Sequence, residues 1–410
     1  MDHPVSVVLV GVGGYGRTYF EGIINNENEG KANIVGIVEP FIDKCLVVDE
    51  VKSRRIPVYD TLEEFYAKHK ADYAVISTPI QFHCEQACYA MEMGSHVLCE
   101  KPMSATIQEA EKMIETKNRT GRMLAIGYQW SFSDEIQQLK QDIMDGMYGK
   151  PIRLKTLALW PRSINYFNRS WAGKKKDASG RWVLDSIANN ATAHYLHNML
   201  YVTGKTTQSS SIPATVEAEL YRANNIENFD TVASRITTKD GIEMMFIASH
   251  AHGLHAGNLL EFSYEFSEGE IYYKDFQDLT IFEGRLKDGR VIKYDKPQVD
   301  SYLKLCCLID QVQKGESIKC GSETSLPHTV CISGMQDSMP QIEVFPKEMV
   351  KKGTLPSGED AIYVEGLADT LTDCYERWVL PNEIGVPWSK PGKKIDVSDY
   401  TCYLQCEEDR

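Results

Sequence analysis

The sequence predicts an α/β N-terminal domain built on a doubly wound parallel sheet, followed by an α+β C-terminal domain with a large, mostly antiparallel open sheet. Three observations carry this expectation. Over roughly the first 130 residues, short apolar runs alternate with helix-spaced patterns. A glycine-rich turn follows the first of those runs. From Ala214 to about Lys293 one strand-length run succeeds another, several of them alternating apolar and polar. At 410 residues the chain exceeds one ordinary core, and the expected domains are 1–130 and 131–380, with a tail over 381–410 rich in Pro, Gly and charge.

Taken in order, Val5 to Val10, Asn33 to Val38, Asp72 to Ser77, His96 to Cys99 and Leu124 to Gly127 read as buried strands. The helices between them have readable starts, because Thr61 with Glu64 and Thr106 with Glu109 have capping-box spacing. Beyond residue 130 a helix is expected from about Ala188 to Val202, then the strands, including the alternating segments 242–247 and 260–266. Helical patterns return over 299–313, 324–339 and 361–378.

Composition excludes several classes. With 42% hydrophobic and 25% charged residues, and no uninterrupted apolar stretch of about 18 residues, the chain reads as globular and not membrane-spanning. A net charge of −14 would repel nucleic acid. The start lacks the basic and apolar pattern of a secretory signal, and the 11 cysteines form no Cys-x-x-Cys pair, so reduced thiols in a cytoplasm are expected.

The first chemical signal is Gly11-Val12-Gly13-Gly14-Tyr15-Gly16, placed between a strand and a helix. Gly11 permits a tight turn, Gly13 lets backbone approach a pyrophosphate, Gly16 lets helix and strand pack, and the helix start, with Gly14 and Tyr15, offers free N–H groups to an anion. Glu39 ends the second strand, where a carboxylate accepts from ribose hydroxyls and repels a 2′-phosphate, so NAD is the expected cofactor of a Rossmann domain.

Further on come Thr78-Pro79, His83, Glu100-Lys101-Pro102 and Gly127-Tyr128-Gln129-Trp130. In this order the motifs resemble the Gfo/Idh/MocA oxidoreductases. The resemblance implies that Thr78, Pro79, His83, Glu100, Lys101 and Gln129 join the glycines, Tyr15 and Glu39 around the cofactor. Lys101 is expected to be catalytic, since an ammonium at the carboxyl end of a parallel strand can favour a substrate alkoxide as hydride leaves. The resemblance also implies a helix with a polar residue and a histidine one turn apart, best matched by Asn190 and His194. His194 is the expected base or proton relay, and Asn190 orients a hydroxyl where relatives often have Asp. Asp185 is expected on a different face from Asn190, and no metal is expected despite His194 and His197.

Between Trp160 and Trp182 lies a segment dense in aromatic and hydrogen-bonding residues, among them Arg162, Tyr166, Asn168, Arg169 and Trp171. Tyr166, Arg169 and Trp171, with Lys101, Asn190 and His194, are the expected substrate contacts, and the segment is a candidate lid. His250, His252 and His255 are expected to pack or line the substrate rather than bind metal. The leading functional expectation is NAD-dependent oxidation of a secondary hydroxyl of a sugar, glycoside or polyol, with C3 of a hexopyranoside as one candidate. The alternatives are a glycosidase or lyase using transient C3 oxidation, and a non-catalytic dinucleotide sensor. A homo-oligomer, dimer or tetramer, is expected because an open sheet face seeks a partner.

Overall fold

The computed structural model describes residues 4–26, 30–253 and 257–403. The chain opens with β1 (Val5–Val10), α1 (Gly16–Asn25), β2 (Ala32–Val38), α2 (Val48–Ser53), β3 (Val58–Tyr59), α3 (Leu62–Tyr66), β4 (Tyr73–Ile76), α4 (His83–Glu92), β5 (His96–Cys99), α5 (Ile107–Thr120) and β6 (Leu124–Ile126). The six strands form one parallel sheet in the order β3-β2-β1-β4-β5-β6. Strand order reverses between β1 and β4, and such sheets bind ligands outside the carboxyl ends of the strands at that reversal. The runs of Val, Ile and Leu in β1, β4 and β5 follow from burial on both faces. Thr106 and Glu109 form the full capping box that their spacing foretells. β3 was not anticipated: two residues carry no period to read.

The chain continues with α6 (Asp134–Met144), β7 (Pro151–Leu159), α7 (Ala193–Val202) and the strands β8 (Pro213–Arg222), β9 (Thr231–Thr238), β10 (Glu243–Ser249), β11 (Leu259–Phe266), β12 (Gly269–Phe276), β13 (Leu279–Leu286) and β14 (Val291–Lys293). Then come α8 (Ser301–Lys314), α9 (Ser322–Ser338), β15 (Glu343–Val344), β16 (Val350–Thr354), β17 (Asp360–Val364), α10 (Leu367–Arg377) and β18 (Ile395–Asp396). A ten-stranded sheet runs β14-β13-β12-β11-β7-β10-β9-β8-β15, with β18 beside β8. It is antiparallel except where β7 meets β10 and β15 meets β8. The fold is therefore the parallel nucleotide-type sheet plus a mostly antiparallel open sheet. No helix among the described residues is long and apolar enough to cross a membrane.

Two compact units result, Met1–Ser133 with Gln298–Leu326, and Asp134–Pro297 with Pro327–Arg410. Residues 298–326, expected in the second domain, thus belong with the first. The reason is packing: α8 lies on α1 and sends Lys304 to Glu100. Two helix boundaries also differ from expectation. α7 starts at Ala193, not Ala188, and the segment 361–378 splits into β17 and α10 at Gly366, whose φ of +73° a side chain would resist.

In the second unit one half of a sheet face is apolar and covered by the chain itself. Leu157, Leu159, Met245 and Ile247 pack against Leu367, Leu371 and Tyr375 of α10, with Phe345 and Leu380. Toward β11 to β13 the same face is charged, with Arg153 paired to Glu265 and Lys274 to Glu261. The expected argument for oligomerisation from a bare sheet face therefore applies only to its charged half.

Candidate active site

In the first unit the glycine turn has the shape its sequence implies. Gly11 has φ +83°, and a Cβ on Gly16 would lie 1.8 Å from the Gly11 carbonyl oxygen, so only glycine closes the turn there. A Cβ on Gly14 would meet nothing within 4 Å, which leaves open room beside the loop. Glu39 Oε2 accepts from the backbone N–H of Val12 and Gly13 at 3.1 and 3.2 Å, and Oε1 accepts from Phe41 at 3.1 Å. The turn lies at the start of a ten-residue helix with room beside Gly14, which suits a pyrophosphate, while the Glu39 carboxylate suits the hydroxyls of the adjoining ribose. Those residues fit the group that the motif implies.

Glu100, at the end of β5, is buried. Its Oε1 accepts from the Tyr19 hydroxyl at 2.6 Å and from Lys304 Nζ, while Oε2 accepts from the Lys101 backbone N–H at 3.2 Å. Burial alone would raise its pKa, but the Lys304 ammonium outweighs it and holds the carboxyl below its ordinary value. Lys304 is equally buried, and it also donates to the Tyr15 hydroxyl and the Gly127 carbonyl, both at 3.4 Å. Tyr15 in turn donates to Gln129 Oε1 at 3.2 Å and accepts from Ser301 at 2.8 Å. Gly127 is required because a Cβ would lie 2.6 Å from Glu100 Oε1. One network therefore fixes the glycine turn, Gln129, Glu100 and the Lys101 backbone.

Lys304 and Ser301 escaped the sequence reading. The available signal was a lysine amid the apolar residues of a helix, Leu303-Lys304-Leu305, but it lies far along the chain from the motifs it serves.

His83 needs correction. It was expected to contact the cofactor, yet it is 1% exposed and both ring nitrogens face carbonyl oxygens, Pro102 at 2.8 Å and Thr78 at 2.9 Å. Burial lowers its pKa, which favours a neutral ring with one N–H donor. It is a positioning residue packed between Thr78-Pro79 and the Lys101-Pro102 turn, with one N–H to donate to one of the two carbonyls. Thr78 also donates to Gln86.

In the second unit the structure gathers Tyr166, Arg169, Trp171 and Asn190. The Arg169 guanidinium lies 4.0 Å from the Tyr166 ring centroid and 4.4 Å from that of Trp171. Asn190 Nδ2 donates to the Tyr166 hydroxyl at 3.3 Å and to Asp185 Oδ1 at 2.9 Å. The expectation that Asp185 sits apart from Asn190 is thus overturned. Residues 187–192 precede α7 as turns, with Leu184 at φ +47° and Asn189 donating to its carbonyl, so helical spacing does not apply. For the same reason Asn190 and His194 do not share a helix face. His194 is on the first turn of α7, beside Tyr195, which packs on Trp160.

The segment expected as a lid is pinned: Gly173 donates to Asp185 at 2.6 Å, and Ser163 bridges to Ala361. His250, 2% exposed, has Nδ1 on the Trp160 carbonyl at 2.6 Å, and its ring packs on Tyr166 and Phe167. Burial first, then the charge of Arg162, lowers its pKa to about 3, and burial lowers that of His252 to about 4. His255 lies outside the described residues. Burial raises the Tyr166 pKa, and the Asp185 charge adds to the effect.

These features give the first unit the architecture of a Rossmann-type nucleotide-binding domain. Residues 5–128 match the family model for the NAD-binding Rossmann fold of the Gfo/Idh/MocA oxidoreductases, so this part of the chain is similar to that family. Among curated proteins it is 26% identical over 147 residues to D-glucoside 3-dehydrogenase of Escherichia coli, covering 36% of this chain and 41% of that one. It is 25% identical over 215 residues to 4-carboxy-2-hydroxymuconate-6-semialdehyde dehydrogenase of Sphingobium, covering 52% and 64%. The chain thus matches less than two thirds of the length of either relative. The fold is similar to that of the WlbA dehydrogenase of Bordetella pertussis, solved with NADH and UDP-GlcNAcA, at TM-score 0.66 and 18% identity over 82% of this chain and 97% of that one.

Proposed function

We propose that this chain is an NAD-dependent oxidoreductase that oxidises a secondary hydroxyl of a sugar, glycoside or polyol, with C3 of a hexopyranoside as one candidate carbon. The observation that carries the reading is the network centred on Glu100, which fixes Lys101 at the carboxyl end of β5 together with the glycine turn. The nicotinamide, when bound, accepts the hydride. Lys101 donates a hydrogen bond to the substrate oxygen and stabilises the alkoxide character that develops there as hydride leaves the same carbon. Asn190, held by Asp185, orients a hydroxyl, and His194 takes the proton. Glu39 favours NAD over NADP by repelling a 2′-phosphate. The relatives named above are dehydrogenases, which supports the reaction class.

The test is a panel of monosaccharides, disaccharides and polyols with NAD and with NADP, followed for both reduced cofactor and released aglycone. Reduced cofactor accumulating with NAD, and loss of at least about a hundredfold in turnover in Lys101→Ala with NAD binding retained, are the expected results. Aglycone release without accumulated NADH would instead favour the lyase chemistry. NAD binding without turnover of any substrate would favour a dinucleotide sensor. The expected homo-oligomer in the cytoplasm belongs to the same proposal, and light scattering on the purified protein decides between monomer, dimer and tetramer.

A further inference from the structure

Arg162 follows β7 and is half-buried, and it has no role in the chemistry derived so far. Its guanidinium lies against two aromatic faces, 5.4 Å from the Trp160 ring centroid and 5.2 Å from that of Tyr166. Its Nε is buried and makes no hydrogen bond, and among the described residues no carboxylate pairs with it. The nearby carboxylate of Asp185 is already engaged by Gly173 N–H and Asn190. Arg169 lies over the same Tyr166 ring, spends its Nε on the Tyr166 carbonyl, and likewise has no acidic partner among the described residues.

A guanidinium that uses its face on an aromatic ring keeps its in-plane N–H groups for another acceptor, and their planar fork matches carboxylate and phosphate oxygens. Partial burial without an anion is costly for such a group, and it is the more notable in a chain of net charge −14 with many carboxylates to draw on. His250, beside Tyr166, stays neutral to about pH 3, so the positive charge of this cluster at neutral pH comes from the two arginines. The same Tyr166 carries the hydroxyl that Asn190 contacts, so anion-binding and hydroxyl-binding groups share one cluster.

We propose that Arg162, assisted by Arg169, binds an anionic group on the substrate, so that the substrate is a sugar acid or sugar phosphate rather than a neutral sugar. This rests on the reading of the chain as a sugar or polyol oxidoreductase.

The experiment compares D-glucuronate, D-galacturonate and D-mannuronate, the 6-phosphates of the same three hexoses, and the three neutral hexoses. Binding is read by tryptophan fluorescence, and turnover by NADH formation. The expected result is at least about tenfold tighter binding of one acid or phosphate than of its neutral counterpart. That advantage should shrink between 0.05 and 0.5 M salt and fall about tenfold in Arg162→Met. Preference for the uronates identifies a carboxylate, and preference for the phosphates a phosphoryl group. Should Arg162→Met fold poorly, Arg162→Lys keeps the charge but not the fork, and is expected to lose most of the preference with an unchanged circular dichroism spectrum. Equal binding of neutral and charged members, binding of none of the anions, or a preference that survives removal of Arg162 would overturn the inference. Charged probes that bind without any NADH formation would refute the oxidoreductase reading while leaving this one standing, and NADH formed equally well from neutral hexoses would do the reverse.

Discussion

At the scale of single residues, the buried pair of Glu100 and Lys304 has consequences that can be measured. Glu100 ionises below its ordinary carboxyl value of 4.5, and Lys304 is raised above 10.5 because the Glu100 charge outweighs burial. The carboxylate contributes stability that is present above its unfolded pKa and lost as pH falls through its folded value. The ammonium's contribution is present below its unfolded pKa and lost as pH rises through its folded one. Lys304→Met strands a buried carboxylate and should cost about 3–5 kcal/mol in urea unfolding at pH 7, whereas Lys304→Met with Glu100→Gln should recover part of it. A single variant as stable as wild type would mean that water reaches Glu100. Two of the buried histidines, His250 and His252, also act on the acid side. His250 and His252 protonate in the unfolded chain near 6.5 but in the folded one only near 3 and 4. Stability should therefore decline as pH falls from 6.5, each ring contributing about 1.4 kcal/mol per pH unit, and His252→Asn should flatten that slope between pH 6.5 and 4.

At the scale of elements, the sequence was most legible where one period or cap decides. β1 and β5 fall where their apolar runs place them, and α5 starts at its capping box. Thr106→Ala removes the bond to the Glu109 N–H and should cost about 1 kcal/mol, read as a lower midpoint in thermal unfolding followed by circular dichroism. Legibility failed where local pattern and tertiary contact disagree. Residues 188–192 continue a helical pattern, yet Asn189 and Asn190 spend their amides on Leu184 and Asp185, and such side-chain bonds compete with helix. β7 pairs with both β10 and β11 but shows no clean alternation, because its Arg153 and Lys155 reach across the face to Trp378 and Tyr375. The glycine turn, Glu39 and Glu100-Lys101 were legible as a compact string. The Asp185–Asn190–Tyr166 contact and Lys304 were not, since each depends on segments that meet only after folding.

At the scale of the whole molecule, the C-terminal elements determine what the second unit shows to its surroundings. α10, Phe345 and Leu380 cover Leu157, Leu159, Met245 and Ile247. A chain ending after Met339 would bare that apolar surface and should self-associate, giving a higher mass in light scattering and stronger binding of a hydrophobic dye than the full chain. If the shortened chain stays monodisperse at the mass of the full one less the deleted residues, the cover is dispensable. The other whole-chain feature is the return of residues 298–326 to the first unit, where Lys304 meets a carboxylate 204 positions earlier. During synthesis at about 5–20 residues per second, the nucleotide-type sheet can form while Glu100 still waits for its counterion, and the ribosome must add the entire intervening strand-rich segment first. A nascent chain halted before Ser301 therefore exposes a half-finished dinucleotide site, and ribosome-bound intermediates of increasing length should acquire protease resistance around Glu100 only after α8 has left the exit tunnel.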